Sequence, residues 1–423
     1  MRILAIETSC DETAVALLKC SGSLESPVIQ PISQALYSQT KDHSPFGGVV
    51  PMLGKREHTK NIVPLFLECL SEAEPFLMRS EDCRGVAEER DEFRSEAMRN
   101  GQRSPHEKLE TIKKLLERDG PLADFFIEHV VPLERPAIDA IAVTHGPGLE
   151  PALWVGVNFA KALSYLWDMP LVPTNHMEGH IASVLVNEGA EIVRYPAIAL
   201  LASGGHTELV LIDKPLSYRR IGQTRAAAVG EAFDKVGRLL GLPYPGGPKI
   251  SAMAAIVRAR GPQTSTITFP RPMINSDDFD FSYAGLKTAV LYKVRELSAP
   301  DKRDLMLTGQ AELSDELKEI IAYEFEEAAT DVLISKTKKA LEAHGAQILI
   351  VGGGVIANTY LRERLTTLAQ ESGVTLMLPT GELSTDNAIM IGAAAYLHVA
   401  GGEIYEPFSP TENTLKADGT LRL

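Results

Sequence analysis

A hairpin followed later by a strand–glycine–helix step occurs twice in this chain, at an offset of about two hundred residues, and no other feature limits its fold so strongly. The first hairpin pairs the apolar run 3–6 with the run 14–18 across a polar turn; the second pairs 197–201 with 209–212. The strand pattern 138–144 ends in Gly146-Pro147-Gly148 and leads into a helical pattern at 152–166. The strand pattern 348–351 ends in Gly352-Gly353-Gly354 and leads into another at 358–365. Such an offset is too long for a solenoid. It fits a duplicated α/β domain whose halves, 1–195 and 196–400, face each other across a cleft. The tail, 401–423, has weak periodicity and is given no role.

One stretch breaks the pattern. Between Glu81 and Gly120 there are eleven acidic and nine basic residues, and Leu109, Ile112, Leu115 and Leu116 fall at helical spacing. This charged insert, within residues 75–135, is expected to be a solvated helical hairpin. A nucleic-acid-contacting arm is the other reading, which the balanced charge does not favour.

At 44% hydrophobic and 23% charged, 423 residues can bury a sizeable core without disulfides. Cys10, Cys20, Cys69 and Cys83 show no CxxC spacing and read as reduced thiols of a cytoplasmic protein. No apolar run approaches the ~20 residues of a membrane span, and the first begins almost at Met1, so neither a membrane segment nor a leader peptide is expected. A net charge of -14 argues against nucleic-acid binding by bulk electrostatics but permits a local basic groove. Arg219, Arg220 and Arg225, or Arg258 and Arg260, are the candidate clusters.

His176 and His180 stand four apart after Asn175, a good helix N-cap. On a helix both imidazoles project from one face and can grip one ion. An isolated pair of this kind is more often two unrelated surface histidines. A zinc-protease reading fails because Met177, not Glu, follows the first histidine. Asp386, just before the helical run 388–397, is the candidate third ligand; alone it reads as a helix cap or first-turn acid. Two histidines and a carboxylate leave positions open for substrate oxygens, as in Fe(II) facial sites or catalytic zinc sites.

The turn Ser203-Gly204-Gly205-His206-Thr207 lets backbone N–H groups approach an anion, and Gly352-Gly353-Gly354 leads towards a helix N-terminus. Neither is a Walker A or dinucleotide fingerprint, and each alone reads as a plain turn. Facing each other in a duplicated fold, they suggest a nucleotide between the halves. Asp11 and Glu12 in the first hairpin turn can orient a substrate amine or a metal-bound water, or are ordinary turn polarity.

Taken in order, these residues resemble one family. Glu7-Thr8-Ser9-Cys10-Asp11-Glu12-Thr13, the His176-Met177-Glu178-Gly179-His180 helix, Ser203 to Thr207, and Gly230-Glu231-Ala232-Phe233-Asp234-Lys235 are the first four motifs. Tyr244-Pro245-Gly246-Gly247-Pro248, Gly353-Gly354-Val355-Ile356-Ala357-Asn358 and Ser384-Thr385-Asp386-Asn387 complete the set. They match TsaD proteins, bacterial tRNA adenosine threonylcarbamoyltransferases once taken for glycoprotein endopeptidases. The resemblance covers nearly the whole chain except the insert and the tail. Three departures stand out: the insert itself, Glu150-Pro151 where small residues are usual, and Ala284 in place of a common Ser.

The resemblance implies a duplicated fold like that of actin, hexokinase and Hsp70. It implies transfer of a threonylcarbamoyl group from threonylcarbamoyl-AMP to the N6 amine of the adenosine 3′ of the anticodon, in tRNAs reading codons that begin with A. His176, His180 and Asp386 then resemble the ligands of one Fe(II) per subunit, zinc being possible by ligand type. Ser203, Gly204, Gly205, His206, Thr207, Asp234, Gly247 and Asn358 resemble the adenylate contacts, and Asp11 and Glu12 the acidic pair near the reacting atoms. Implied partners are tRNA, a paralogous TsaB-type subunit and a TsaE-type ATPase, without a membrane. An ATPase or small-molecule kinase of the same fold is the alternative; it would need an acidic base and Mg²⁺ but not His176 and His180.

Overall fold

Both hairpins form where the apolar runs place them. In the computed structural model, which describes residues 1–77, 105–186, 194–261, 267–298, 313–412 and 415–423, β1 (Arg2–Glu7) pairs antiparallel with β2 (Glu12–Gly22). β3 (Pro27–Ser38) extends the sheet beyond β2, while β4 (Ala140–Gly146) and β5 (Leu171–Asn175) add in parallel beyond β1. The second sheet repeats this plan. β6 (Ala197–Ala202), β7 (Thr207–Lys214) and β8 (Ser217–Gln223) form the antiparallel meander, and β9 (Ile348–Gly352) and β10 (Thr375–Met377) the parallel extension. The orders β3-β2-β1-β4-β5 and β8-β7-β6-β9-β10 are the same, which bears out the duplicated α/β reading. Ile3, Leu4, Ala5 and Ile6 are all fully buried, so β1 is covered on both faces, as an unbroken apolar run requires.

Strand side chains alternate between faces, so each sheet has two cores. On its outer face the first sheet carries α1 (Pro51–Leu77), α2 (Pro105–Leu116), α3 (Gly120–His129) and α4 (Glu150–Trp167). α5 (His176–Ala182) follows β5. The second sheet carries α6 (Val229–Leu239), α7 (Gly246–Ala259), α8 (Ala284–Leu297), α9 (Asp315–His344) and α10 (Thr359–Ser372), and α11 (Ala388–Ala400) ends the repeat. No described helix is long and apolar enough to cross a membrane.

The two inner helices are exchanged. α5 buries Met177 and Ile181 against Ala197, Ala199 and Ile350 of the second sheet, whereas α11 buries Ala388 to Leu397 against Ile3, Ala5, Ala14 and Leu18 of the first. The boundaries 1–195 and 196–400 therefore divide the chain but not the packing units. Two glycines permit the close approach. A Cβ on Gly179 would lie 2.9 Å from Ile391 of α11, and one on Gly392 2.4 Å from Leu18 of β2.

The expected insert and tail also need correction. Residues 78–104 lie outside the described residues, so the greater part of the 81–120 expectation, with Cys83, falls there. The rest is not a solvated hairpin. Ile112, Leu116, Leu122 and Phe126 are buried in the outer core of the first half, and buried Asp119 pairs with Lys55 of α1 at 2.7 Å. The tail, given no role from sequence, returns to the first half. Leu171 donates its N–H to Glu406, Phe408 enters the core, and Asp418 donates its N–H to His145 O at 2.8 Å.

Candidate metal centre

Both ligand-bearing segments start at helix N-termini that other residues cap. Asn175 accepts the Met177 N–H at 2.8 Å, which sets His176 at the first position of α5 and His180 one turn on. Asn387, not Asp386, caps α11, accepting the Met390 N–H at 2.9 Å. Asp386 is thereby released from the capping role it could have had and faces the histidines. Its Oδ1 lies 3.5 Å from His176 Nε2 and 3.3 Å from His180 Nε2, and the three ligand atoms fall within 4.8 Å of one another.

These residues fit a metal ion. His180 is fully buried, yet apart from the 3.3 Å approach of Asp386 its ring nitrogens have no hydrogen-bond partner among the described residues. Buried polar atoms left unpaired destabilise a fold, so a histidine in this state calls for a partner of another kind. Two imidazoles and a carboxylate suit a divalent transition metal. Burial opposes charge on Asp386, but His176 and His180 outweigh it and hold the carboxyl below its ordinary value. Burial likewise opposes charge on His176, while Asp386 and Glu7 push it up to about 9.

Glu7 is a site residue that the sequence left without a role. Fully buried at the end of β1, its Oε2 lies 3.4 Å from His176 Nδ1, and Ser9 Oγ lies 3.2 Å from the same nitrogen. Thr144 and the Ser9 N–H donate to the Glu7 carboxylate. This arrangement turns His176 Nε2 towards Asp386, in the manner of a carboxylate–histidine–metal relay.

Asp11 and Glu12 lie within the electrostatic reach of Asp386, and burial raises both carboxyls, for Glu12 well above its ordinary value. Their turn is held by His58, which burial depresses to about 4. Neutral, it donates Nε2–H to Cys10 O at 3.0 Å and accepts from Thr13 Oγ1 at 2.8 Å. Tyr244 approaches from the second half, where Ser44 Oγ donates to its carbonyl at 3.3 Å.

The expected adenylate contacts are not all alike. Ser203 Oγ accepts the His206 N–H and Thr207 Oγ1 accepts the Val229 N–H, so both side chains build the turn. Gly204, Gly205 and Gly354 have open space where a side chain would stand. Asp234 accepts the Gly246 N–H at 2.8 Å, tying α6 to α7 beside Gly247. Asn358 caps α10 and donates to Ser251 Oγ and Glu326 Oε1, both at 2.8 Å. His206 lies near the His176, His180 and Asp386 cluster, and burial with the nearby His176 and His180 lowers it to about 4.

The candidate arginine clusters are all paired with carboxylates. Arg219 pairs with Asp213, Arg220 with Glu208, Arg225 with Asp278 and Asp280, Arg258 with Glu326 and Glu327, and Arg260 with Glu319. Each has an acidic neighbour, so none of the clusters is a run of unpaired positive charge, although the N–H groups of Arg220 beyond the one given to Glu208 have no partner among the described residues.

Comparison with known proteins shows the family. The family model of TsaD, tRNA N6-adenosine threonylcarbamoyltransferase, matches residues 30–87 and 112–393, resuming at the buried Ile112. The tRNA N6-adenosine threonylcarbamoyltransferase of Staphylococcus haemolyticus is 36% identical over 400 residues, spanning 95% of this chain and 92% of the relative. That of Nitrosospira multiformis is 37% identical over 403 residues, with the same coverage of 95% and 92%. Among solved structures, HypF in its phosphate- and nucleotide-bound form is 14% identical, with a TM-score of 0.43 over 66% of this chain and 42% of its own. The (R)-2-hydroxyglutaryl-CoA dehydratase component A of Acidaminococcus fermentans is 11% identical, with a TM-score of 0.42 over 95% of this chain and 99% of its own. These structural likenesses are too distant to bear on function. The sequence matches are not, and by them the chain belongs to the TsaD family of tRNA N6-adenosine threonylcarbamoyltransferases.

Proposed function

We propose that the chain transfers a threonylcarbamoyl group from threonylcarbamoyl-AMP to the N6 amine of the adenosine 3′ of the anticodon, in tRNAs reading codons that begin with A. In this reading His176, His180 and Asp386 hold one Fe(II), or zinc, per subunit. The observation that carries it is the gathering of their three ligand atoms within 4.8 Å at the cleft, with His180 otherwise unpartnered. A bound divalent cation supplies Lewis-acid polarisation of an oxygen on the activated donor.

The protein residues do the rest. Gly204 and Gly205 leave room for an anionic oxygen against the turn backbone. The N6–carbon bond forms as the carbon–oxygen bond to phosphate breaks, AMP leaves with the electron pair, and the amine loses one proton. Asp11 and Glu12, raised by burial, are suited to receive that proton. No Ser or Cys nucleophile is needed, since a carbamoyl–phosphate anhydride is already activated, and Cys10, pushed well up by burial and by Asp11, is unsuited to attack. The amine is a weak nucleophile, so holding it in position contributes much of the acceleration.

A kinase or ATPase of this fold would have no use for the two histidines. The proposal includes a cytoplasmic setting, a paralogous TsaB-type subunit and a TsaE-type ATPase as partners. The test is metal analysis together with threonylcarbamoyl transfer to transcript tRNA. His176→Ala is expected to lose metal and activity while keeping its fold; full metal occupancy with normal transfer would sink the assignment.

A further inference from the structure

We propose that the cavity between the C-terminal segment and strands β7–β8 receives the threonyl part of the donor, with Arg220 and Arg422 recognising its carboxylate. The inference rests on the donor proposed above and extends it to residues outside the adenylate and metal contacts. The cavity measures about 210 Å³, with Glu208 and Arg220 on one side and Thr420 and Arg422 on the other. It adjoins the metal cluster. His206 lines it and lies in the electrostatic field of His176, His180 and Asp386, and Met177, between the two histidine ligands, forms part of its wall.

The tail is a built wall. Gly148 donates its N–H to Gly419 O at 3.3 Å, and Asn175 Nδ2 donates to Arg422 O at 3.3 Å. Asn175 is also the cap of α5, so one side chain fixes both the ligand helix and this wall. Leu423 then packs against the inner core of the second sheet.

The chemistry of the lining suits a small carboxylate. Glu208 Oε1 accepts from Arg220 Nη1 at 2.9 Å and orients a guanidinium that is 23% exposed. The remaining N–H groups of Arg220 have no partner among the described residues, and its charge reaches His206. Arg422 makes no ion pair among the described residues. Guanidinium forks match a planar carboxylate, often with two parallel hydrogen bonds. In a threonylcarbamoyl group the carboxylate is only a few bonds from the carbamoyl carbon. A donor whose carbamoyl oxygen faces His176, His180 and Asp386 then has its carboxylate within reach of a pocket walled by the neighbouring Met177 and His206.

Size favours this occupant over the other anion at hand, an RNA phosphodiester. The cavity, about 210 Å³, lies below the roughly 300–1,000 Å³ of pockets for drug-sized ligands and suits an amino-acid-sized fragment. An RNA strand takes an open basic groove instead.

The test compares two donors on the full-length, metal-loaded protein: threonylcarbamoyl-AMP and 2-hydroxypropylcarbamoyl-AMP, the same skeleton without the carboxylate. Binding of their non-transferable sulfamate analogues is measured in parallel by calorimetry. Arg422→Ala and Arg220→Lys are each expected to weaken binding of the carboxylate-bearing analogue roughly ten- to a hundredfold, and to raise its KM similarly. The decarboxylated pair should change little. Equal losses with both donors, or none, would overturn the proposal, as would a selective rise in the KM for tRNA with a smaller salt slope, which would assign the arginines to a phosphodiester. A wild-type protein inactive with threonylcarbamoyl-AMP would instead defeat the donor assignment itself. Arg422 is exposed, so its replacement should leave the fold intact.

Discussion

Glu7 illustrates how much of this site depends on a residue that touches no substrate. Its carboxylate is fully buried, receives Thr144 Oγ1 and the Ser9 N–H, and meets His176 Nδ1 at 3.4 Å. Glu7→Gln keeps the size and removes the charge that fixes the imidazole tautomer. Loss of such a supporting partner typically weakens metal affinity about 10–100-fold. Chelator competition on the purified variant should show that loss while circular dichroism stays native; unchanged affinity would mean that Ser9 alone orients His176. The role was not legible in sequence, because Glu7 and His176 are 169 residues apart and only the fold makes them neighbours. His176 and His180 were legible as a pair because their spacing and helix-start context are local. Asp386 still needed the structure, since Asn387 beside it was an equally good cap.

At the scale of elements, the exchanged helices α5 and α11 are tied by an ion pair as well as by packing. His398 near the end of α11 meets Glu178 of α5 at 2.9 Å and Glu403 at 2.8 Å. The Glu178 hydrogen bond, partly opposed by burial, and the Glu403 contact raise His398 from 6.5 to about 9. A group raised on folding stabilises the protein fully below its unfolded pKa, and that contribution fades as pH rises through its folded pKa. The melting temperature of His398→Gln should therefore fall furthest below wild type at about pH 5–6.5, and the gap should close above about pH 9. A gap independent of pH would deny the ion pair this role. α2 makes a second case. Ile112→Ala or Leu116→Ala should each destabilise by about 2–5 kcal/mol in denaturant titrations, as buried large-to-small changes do. A change under about 0.5 kcal/mol, the range of exposed sites, would restore the solvated reading. The helical spacing of Ile112 and Leu116 was visible in the sequence, but the many charges before Ile112 favoured a solvated reading of that face. The tail was opaque for another reason: it packs by backbone hydrogen bonds and a few anchors such as Phe408, which leave no periodic trace. The sheets were legible because unbroken apolar runs such as Ile3 to Ile6 admit few other fates.

For the whole molecule, the exchange of α5 and α11 would couple the proposed metal binding to the union of the two halves. His176 and His180 stand on the helix packed against the second sheet, and Asp386 precedes the helix packed against the first. An ion held by all three therefore bridges packing units that lie on opposite sides of the duplicated fold. A ligand that binds only the assembled state stabilises it by mass action, about 2.7 kcal/mol at a hundredfold excess over Kd. Calorimetry under anaerobic conditions should show the Fe(II)-saturated protein melting higher than the chelated protein. The lower-melting transition should also broaden or split on chelation, since the two outer cores are separate and the inner helices are a main link between them. In His180→Ala the midpoint should no longer respond to metal, even if other transitions persist. Identical melting with and without metal in the wild type would show that the three residues do not act together on one ion, whatever their distances in the fold.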